Sequence, residues 1–446
     1  MKSILQALRQ ELPPMLRLAG PVVLTELGWM AMGIVDTMMV GRVSAAAIGG
    51  VGIGSAIFYT VAIFGAGLLL GLDTLVSQAF GAGDLEDCHR SLLSGVYLTL
   101  PLTPLLMAAL WVAARLLPAF GVRPEVVAEA VPYLYAITWS VFPQVLFFGV
   151  RRYLQSMNLV MPVLFALLTA NLINIAANWV LIFGHWGAPA MGSEGAGWAT
   201  CASRVYMTVF LLGYVFYYDR RQHVRLEHVS WRPDRRRLRD LVRLGLPAAL
   251  QMTGEVGVFA AAATLLGRLE KESLAAHQIA INMASLTFMV PLGISAAAAV
   301  RVGQGIGRED PAGAARAGWT ALLLGATFMS LAGLCLWLLP RPILGLFTRD
   351  PAVVERGVPL LFVAALFQLF DGLQVVATGA LRGAGDTHTA MITHLIAYWV
   401  VGLPLGWVLC FRQGYGAPGM WSGLCLALIL AGIVLSTAWY HRVRCI

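Results

Sequence analysis

Six stretches of this chain, residues 43–72, 91–114, 273–300, 317–340, 387–411 and 413–441, contain no Asp, Glu, Lys or Arg at all. Each exceeds the roughly 20 residues a membrane-spanning helix needs. Inside a bilayer every backbone N–H and C=O must find its partner within the protein, which leaves only helices or a closed barrel. The alternating ten-residue segments of a barrel are absent, so the spans are helices. With 59% hydrophobic and 12% charged residues, against about a quarter charged in water-soluble domains, the chain is expected to be an all-α integral membrane protein.

Shorter apolar windows, each broken by a single acid or arginine, complete a set of twelve transmembrane helices. They are expected near 14–40, 46–72, 91–113, 129–150, 161–183, 195–218, 241–266, 275–300, 317–339, 357–380, 388–410 and 419–440. The first is too long and too acidic, with Glu26 and Asp36, for a cleavable signal peptide. An even number of spans puts both termini on one side. With the N-terminus inside, the inner loops and tails carry 21 Lys and Arg and the outer loops nine, with Arg204 inside the sixth span. The positive-inside rule therefore places both termini in the cytoplasm. The net charge of +8 then reflects topology, not nucleic-acid binding. Six scattered cysteines form neither a disulfide framework nor a zinc pattern.

The segment 219–240 is Arg-rich, carries Pro233 and cannot span. It reads as a basic cytoplasmic linker between an N-lobe, 1–218, and a C-lobe, 241–446, of six helices each. Gly41-Arg42 recurs as Gly267-Arg268, and QAFGAGD from Gln78 recurs as QGIGRED from Gln304, both 226 residues later. Two matches at one offset imply duplication. The offset spans an even number of helices, so the halves share orientation and form pseudo-symmetric lobes about an axis along the membrane normal, with a binding cleft between them. Gly-rich QAFGAGD and LRGAGD (Leu381 to Asp386) lack the preceding strand of a nucleotide fingerprint and read as helix ends.

Acids inside such spans are costly, roughly 2.5–3.5 kcal/mol each on insertion scales, and usually serve ion or substrate pathways. Asp36 lies about 9 Å below the outer end of the first span. Asn171, Asn174 and Asn178 share one face of the fifth, with Asn178 at matching depth. In the second half Glu255, with Gln251 one turn earlier, lies near the middle of the seventh span. Gln368, Asp371, Gln374 and Thr378 line one face of the tenth. Two acids at one depth share a proton or hold a monovalent cation, because neighbouring like charges do not both stay ionised unaided. His277, Gln278 and Asn282 near the start of the eighth span are further candidates for this second site. The roles of Glu26 and Asp73 stay open at this point.

The segments GIVDTMMVGR (Gly33 to Arg42), NLINIAANWVLIFG (Asn171 to Gly184), AAHQIAIN (Ala275 to Asn282) and FDGLQVVATGALRGAGD (Phe370 to Asp386) resemble the multidrug and toxic compound extrusion (MATE) family along the whole chain. Glu255 together with Asp371 is similar to its NorM-type bacterial branch. The resemblance implies a non-enzymatic multidrug efflux antiporter of the bacterial cytoplasmic membrane, with no cofactor. It would exchange Na+ or H+ for cationic amphipathic small molecules by alternating access, and work as a monomer. It also implies that Asp36, supported by Asn174 and Asn178, forms a first-lobe cation site, and that Glu255 and Asp371 form a second. Phe367 stands where NorM-type members often carry tyrosine, so a hydroxyl ligand is missing there. A lipid-linked saccharide flippase of related architecture would need basic residues at depth for pyrophosphate, which these spans almost lack. A membrane prenyltransferase would need clustered acids for Mg2+ at a membrane face.

Overall fold

The structure, a computed structural model, describes residues 2–221, 226 and 229–445, and these contain no strand. Of the expected linker, residues 222–225, 227 and 228 lie outside the described residues. In chain order the helices of the first half are α1 (Lys2–Val40), α2 (Ala45–Leu68), α3 (Gly71–Gly81), α4 (Leu85–Leu116), α5 (Pro124–Thr138), α6 (Val141–Ser156), α7 (Met161–Phe183) and α8 (Gly192–Asp219). Those of the second are α9 (Arg235–Leu266), α10 (Lys271–Gly307), α11 (Pro311–Leu338), α12 (Pro340–Gly345), α13 (Pro351–Gly383), α14 (His388–Leu395), α15 (Leu403–Trp407) and α16 (Gly416–Val443). A π-helical segment, Ile396–Gly402, joins α14 to α15, and a second, Val408–Arg412, extends α15.

Eleven segments among the described residues are long and apolar enough to cross a bilayer, and α5 with α6, bent by 51°, makes a twelfth. The bend has a local cause. At the break, the hydroxyls of Thr138 and Ser140 donate to the carbonyls of Leu134 and Ile137 at 2.6 and 2.5 Å, and such back-bonding bends helices. The fourth span therefore runs on to Ser156, beyond the expected 150, and carries Arg151 and Arg152 in its helix.

The chain forms two compact units, one of Leu24–Ala249 and one of Met1–Val23 with Leu250–Ile446. Charge and close packing account for that grouping. In the second unit Glu11 on α1 accepts from Arg301 on α10 at 2.8 Å. In the first, Asp87 on α4 pairs with Arg237 on α9. Gly67 on α2 leaves room for Ala249, whose Cα would lie 2.5 Å from any Cβ there, and Gly293 on α10 leaves room for Val23, whose Cγ2 would also lie at 2.5 Å. Gly293 follows Gly67 by 226 residues, and Ala249 follows Val23 by the same 226. Each half thus makes the same backbone approach with the counterpart helix.

The repeated motifs do one structural job twice. Gly83 (φ +78°) and Glu309 (φ +57°) both take the left-handed conformation that ends a helix. The next residues, Asp84 and Asp310, cap α4 and α11 by accepting from the amides of Asp87 and Gly313 at 2.9 and 2.8 Å.

Candidate functional site

In the unit Leu24–Ala249, the 3- and 4-residue spacing on α7 turns Asn174 and Asn178 inward, and both are fully buried. Asp36 on α1 is 5% exposed. Asn178 Nδ2 donates to Asp36 Oδ1 at 2.6 Å and to Asn174 Oδ1 at 3.1 Å. Thr200 on α8 donates from Oγ1 to Asp36 Oδ2 at 2.8 Å. Both carboxylate oxygens are therefore held, one from each of two helices. Asn178 Oδ1 and Asn174 Nδ2 have no hydrogen-bond partner among the described residues, which leaves a free amide oxygen beside the acid. Asn171 sits at the edge of this face and donates to the carbonyls of Leu167 and Gly28 at 2.9 and 3.2 Å.

One turn beyond Thr200, the buried Arg204 donates to Ser140 Oγ at 2.6 Å and lies 4.4 Å from the centre of the Phe58 ring. Thr200 and Arg204 belong to this neighbourhood, although sequence reasoning misses the first and leaves the second unassigned. Their signal is a polar pair four residues apart in an apolar span. Glu26, open from sequence, forms an ion pair with the buried Arg151 of α6, and Asp73 faces Arg152 at 3.5 Å. These two acids neutralise arginines within one unit.

In the second unit, α13 buries Gln368, Asp371 and Gln374. Gln374 Nε2 donates to Asp371 Oδ1 at 3.1 Å. Glu255 on α9 is half-buried and faces Gln374, Gln251, the hydroxyl of Tyr398 and, beyond them, Asp371. Tyr398 lies in the π-helical segment after α14, a feature frequent at functional positions. One turn earlier, His394 is 1% exposed with its Nε2 against Gln374 Oε1. No lysine or arginine faces either acid, so the pair has no built-in counter-charge among the described residues.

The other sequence candidates lie elsewhere in this unit. Gln368 turns to α10 and donates to Thr287 Oγ1 at 2.8 Å. Phe367 stacks on Trp421 of α16, ring centres 5.8 Å apart, and the Trp421 indole donates to His277 Nδ1 at 2.9 Å. Gln278 and Asn282 are exposed and hydrogen bond to each other at 3.3 Å. Sequence reasoning misses His394 and Tyr398 as well, although they too form a polar pair four residues apart in an uncharged span.

The MatE family profile matches residues 21–180 and 247–408. The chain belongs to the MatE family. The two matched blocks of this MatE protein begin 226 residues apart, the same offset as its repeated motifs. It is 38% identical over 98% of its length to a protein of Mesorhizobium japonicum described as "Probable multidrug resistance protein NorM", 95% of which is covered. It is 34% identical over 96% of its length to the "Multidrug resistance protein PmpM" of Pseudomonas aeruginosa, covering 91% of that chain. Among solved structures, the eukaryotic MATE transporter AtDTX14 superposes with a TM-score of 0.89 at 20% identity, over 98% of both chains. An outward-facing multidrug resistance MATE transporter gives 0.87 at 19% identity, over 99% of this chain and 98% of the other. The MATE fold of the MatE protein is thereby established.

Proposed function

We propose that this chain is a multidrug efflux transporter of the bacterial cytoplasmic membrane, a secondary antiporter that exchanges Na+ or H+ for cationic amphipathic molecules by alternating access. The observation that carries the reading is the Glu255–Asp371 pair, two acids brought together within a membrane-spanning unit with no basic side chain to neutralise them. Unpaired acids at bilayer depth cost too much to persist without a purpose. A proton or a monovalent cation supplies the missing positive charge. The names carried by bacterial relatives at 34–38% identity agree with drug export.

Asp36, with Asn174, Asn178 and Thr200, forms the second coupling site of the proposal. Cation occupancy neutralises these acids and weakens their hold on a cationic drug. Coupling then requires that the cation bind one conformational state more tightly than the other, since equal binding shifts nothing. Both termini face the cytoplasm in this scheme, and one chain suffices. A lipid-linked saccharide flippase is less well supported. Of the three buried arginines among the described residues, Arg151 is engaged by Glu26 and Arg204 by Ser140 and Phe58, while Arg382 lies in the last turn of α13, away from the middle of the span.

Reconstitution into proteoliposomes with separately imposed Na+ and pH gradients tests the proposal. Ethidium transport driven by one gradient alone names the ion, and transport driven by neither removes the antiporter reading. Asp36→Asn is expected to abolish export while the protein remains folded in the membrane. Full efflux in that variant would exclude Asp36 from coupling.

A further inference from the structure

The first turns of α9 carry a line of arginines that the protein itself does not neutralise. At about 100° per residue, Arg235, Arg239, Arg243 and Leu246 fall within about 80° of arc on one helical face. All three arginines are exposed, and none forms an ion pair or a side-chain hydrogen bond among the described residues. Arg237, on the opposite side of the helix, instead pairs with Asp87 on α4. Arg237 therefore docks α9 onto its own unit, and the outer three present their charge to whatever surrounds it. Leu246, 40% exposed, continues their face into the apolar part of this membrane-spanning segment, Arg235–Leu266.

Along this face runs a shallow groove of about 520 Å3, lined by Arg235, Leu238, Arg239, Val242 and Arg243. Leu238 and Val242 are half-buried and pack on the core of the unit, so they form an apolar floor. Guanidiniums are planar, always charged and shaped for bidentate contacts with phosphate. Three of them beside an apolar floor fit an anion that carries hydrocarbon. Trp231, 55% exposed, lies four residues before α9, and its carbonyl accepts from the Tyr97 hydroxyl on α4. Tryptophan at the end of a spanning helix marks the headgroup level. The arginines extend over about 12 Å of helix axis, and their flexible stems let the charged heads gather at that level. At the repeat offset Pro13 of α1 stands where α9 has Arg239, so the complete line belongs to α9 and not to the duplicated plan.

We propose that this face of α9 is a binding site for an anionic phospholipid, its phosphate held by Arg235, Arg239 and Arg243 and its acyl chains running along Leu246. The lipid phosphate supplies the counter-charge that the described residues lack. Neither drug export nor the identity of the coupling ion enters this assignment, which requires only that the chain lie in a membrane. A membrane's negative surface attracts basic residues beside a spanning helix, strengthening binding about fivefold for each arginine. The geometry adds a location to that general attraction, because the charges share one stripe with lipid-facing leucine and flank an apolar floor. An acidic peptide or an RNA would meet the same charges but would leave the floor unused and would not call for a face that continues into the bilayer.

The test counts lipids bound to the full chain. Purified protein in detergent is titrated with phosphatidylglycerol and, separately, with phosphatidylcholine, and bound lipid is counted by native mass spectrometry. The parent is expected to bind phosphatidylglycerol in preference. Arg235→Gln, Arg239→Gln and Arg243→Gln combined are expected to weaken that binding about a hundredfold, at about fivefold for each arginine, and to leave phosphatidylcholine binding unchanged. Arg239→Gln alone, with an expected loss of about fivefold, carries the test if the triple variant fails to fold. A control with Arg42→Gln, Arg123→Gln and Arg268→Gln removes the same net charge from exposed positions elsewhere and should keep the preference. Equal binding of the two lipids by the parent, or an unchanged preference in the α9 variants, overturns the proposal. An equal loss in the control also overturns it, because binding then follows net charge alone. So does displacement of the lipid by an equal concentration of soluble glycerol phosphate, which would show that the apolar floor contributes nothing.

Discussion

Thr200 donates to Asp36 Oδ2 at 2.8 Å while Asn178 holds the opposite oxygen at 2.6 Å. The carboxylate is thereby fixed from α8 and α7 at once, and its orientation does not depend on α1 alone. A hydrogen bond to a charged group contributes about 1.5–3 kcal/mol.

Thr200→Val keeps the shape and removes the donor. It is expected to slow gradient-driven ethidium efflux by about tenfold, the equivalent of about 1.4 kcal/mol. Thr200→Ser, which retains the hydroxyl, should restore most of the rate. Efflux at the parent's rate in the valine variant would remove Thr200 from the site.

Arg151 and Glu26 pair out of water, and breaking such a pair by deleting one partner costs about 3–5 kcal/mol because the other charge is stranded. Arg151→Met is expected to lower thermal stability in detergent by an amount of that order. The double variant Arg151→Met with Glu26→Gln should recover most of it. Equal stability of the single and double variants would show that the pair is not what holds α6 to α1.

Gly67 and Gly293 make the equivalent approaches to Ala249 and Val23. Alanine at either position must push the partner backbone away, and overpacking of this kind costs about 1–3 kcal/mol. Gly67→Ala and Gly293→Ala are expected to destabilise by similar amounts in thermal unfolding. A large effect at one site and none at the other would mean that the duplicated sequence does not carry duplicated packing.

Cytoplasmic termini are read from charge alone, and Cys445, exposed at the C-terminal end, reports on them directly. In a Cys335→Ser background the cysteines other than Cys445 are all buried. A membrane-impermeant maleimide is expected to label Cys445 only after the cells are permeabilised. Labelling of intact cells would reverse the proposed orientation.

Much of the first-unit site is legible in the sequence itself. Asp36 and the Asn171–Asn174–Asn178 stripe are periodic, and helical periodicity converts directly into a shared face. Phe367 shows the limit of the same logic. The family resemblance puts it at the acid site one turn before Asp371, but its ring stacks on Trp421 of α16, a partner that a shared helix face does not specify. Arg204 is visible as a lone charge in the sixth span, yet its partner Ser140 sits 64 residues away at a bend that sequence does not mark.

Uncharged windows, the arginine imbalance between loops and the 226-residue repeat are enough to establish helices, their number and a duplicated plan. Those are properties of single segments and of intervals along the chain, and a bilayer enforces them one helix at a time. The exchange of Met1–Val23 and the start of α9 between the two units depends on backbone approaches at Gly67 and Gly293, which no local pattern announces. The same is true of the line from Asp371 through Gln374 to His394. It joins α13 to α14 by hydrogen bonds whose energy depends on buried geometry, and only tertiary packing brings those atoms within reach.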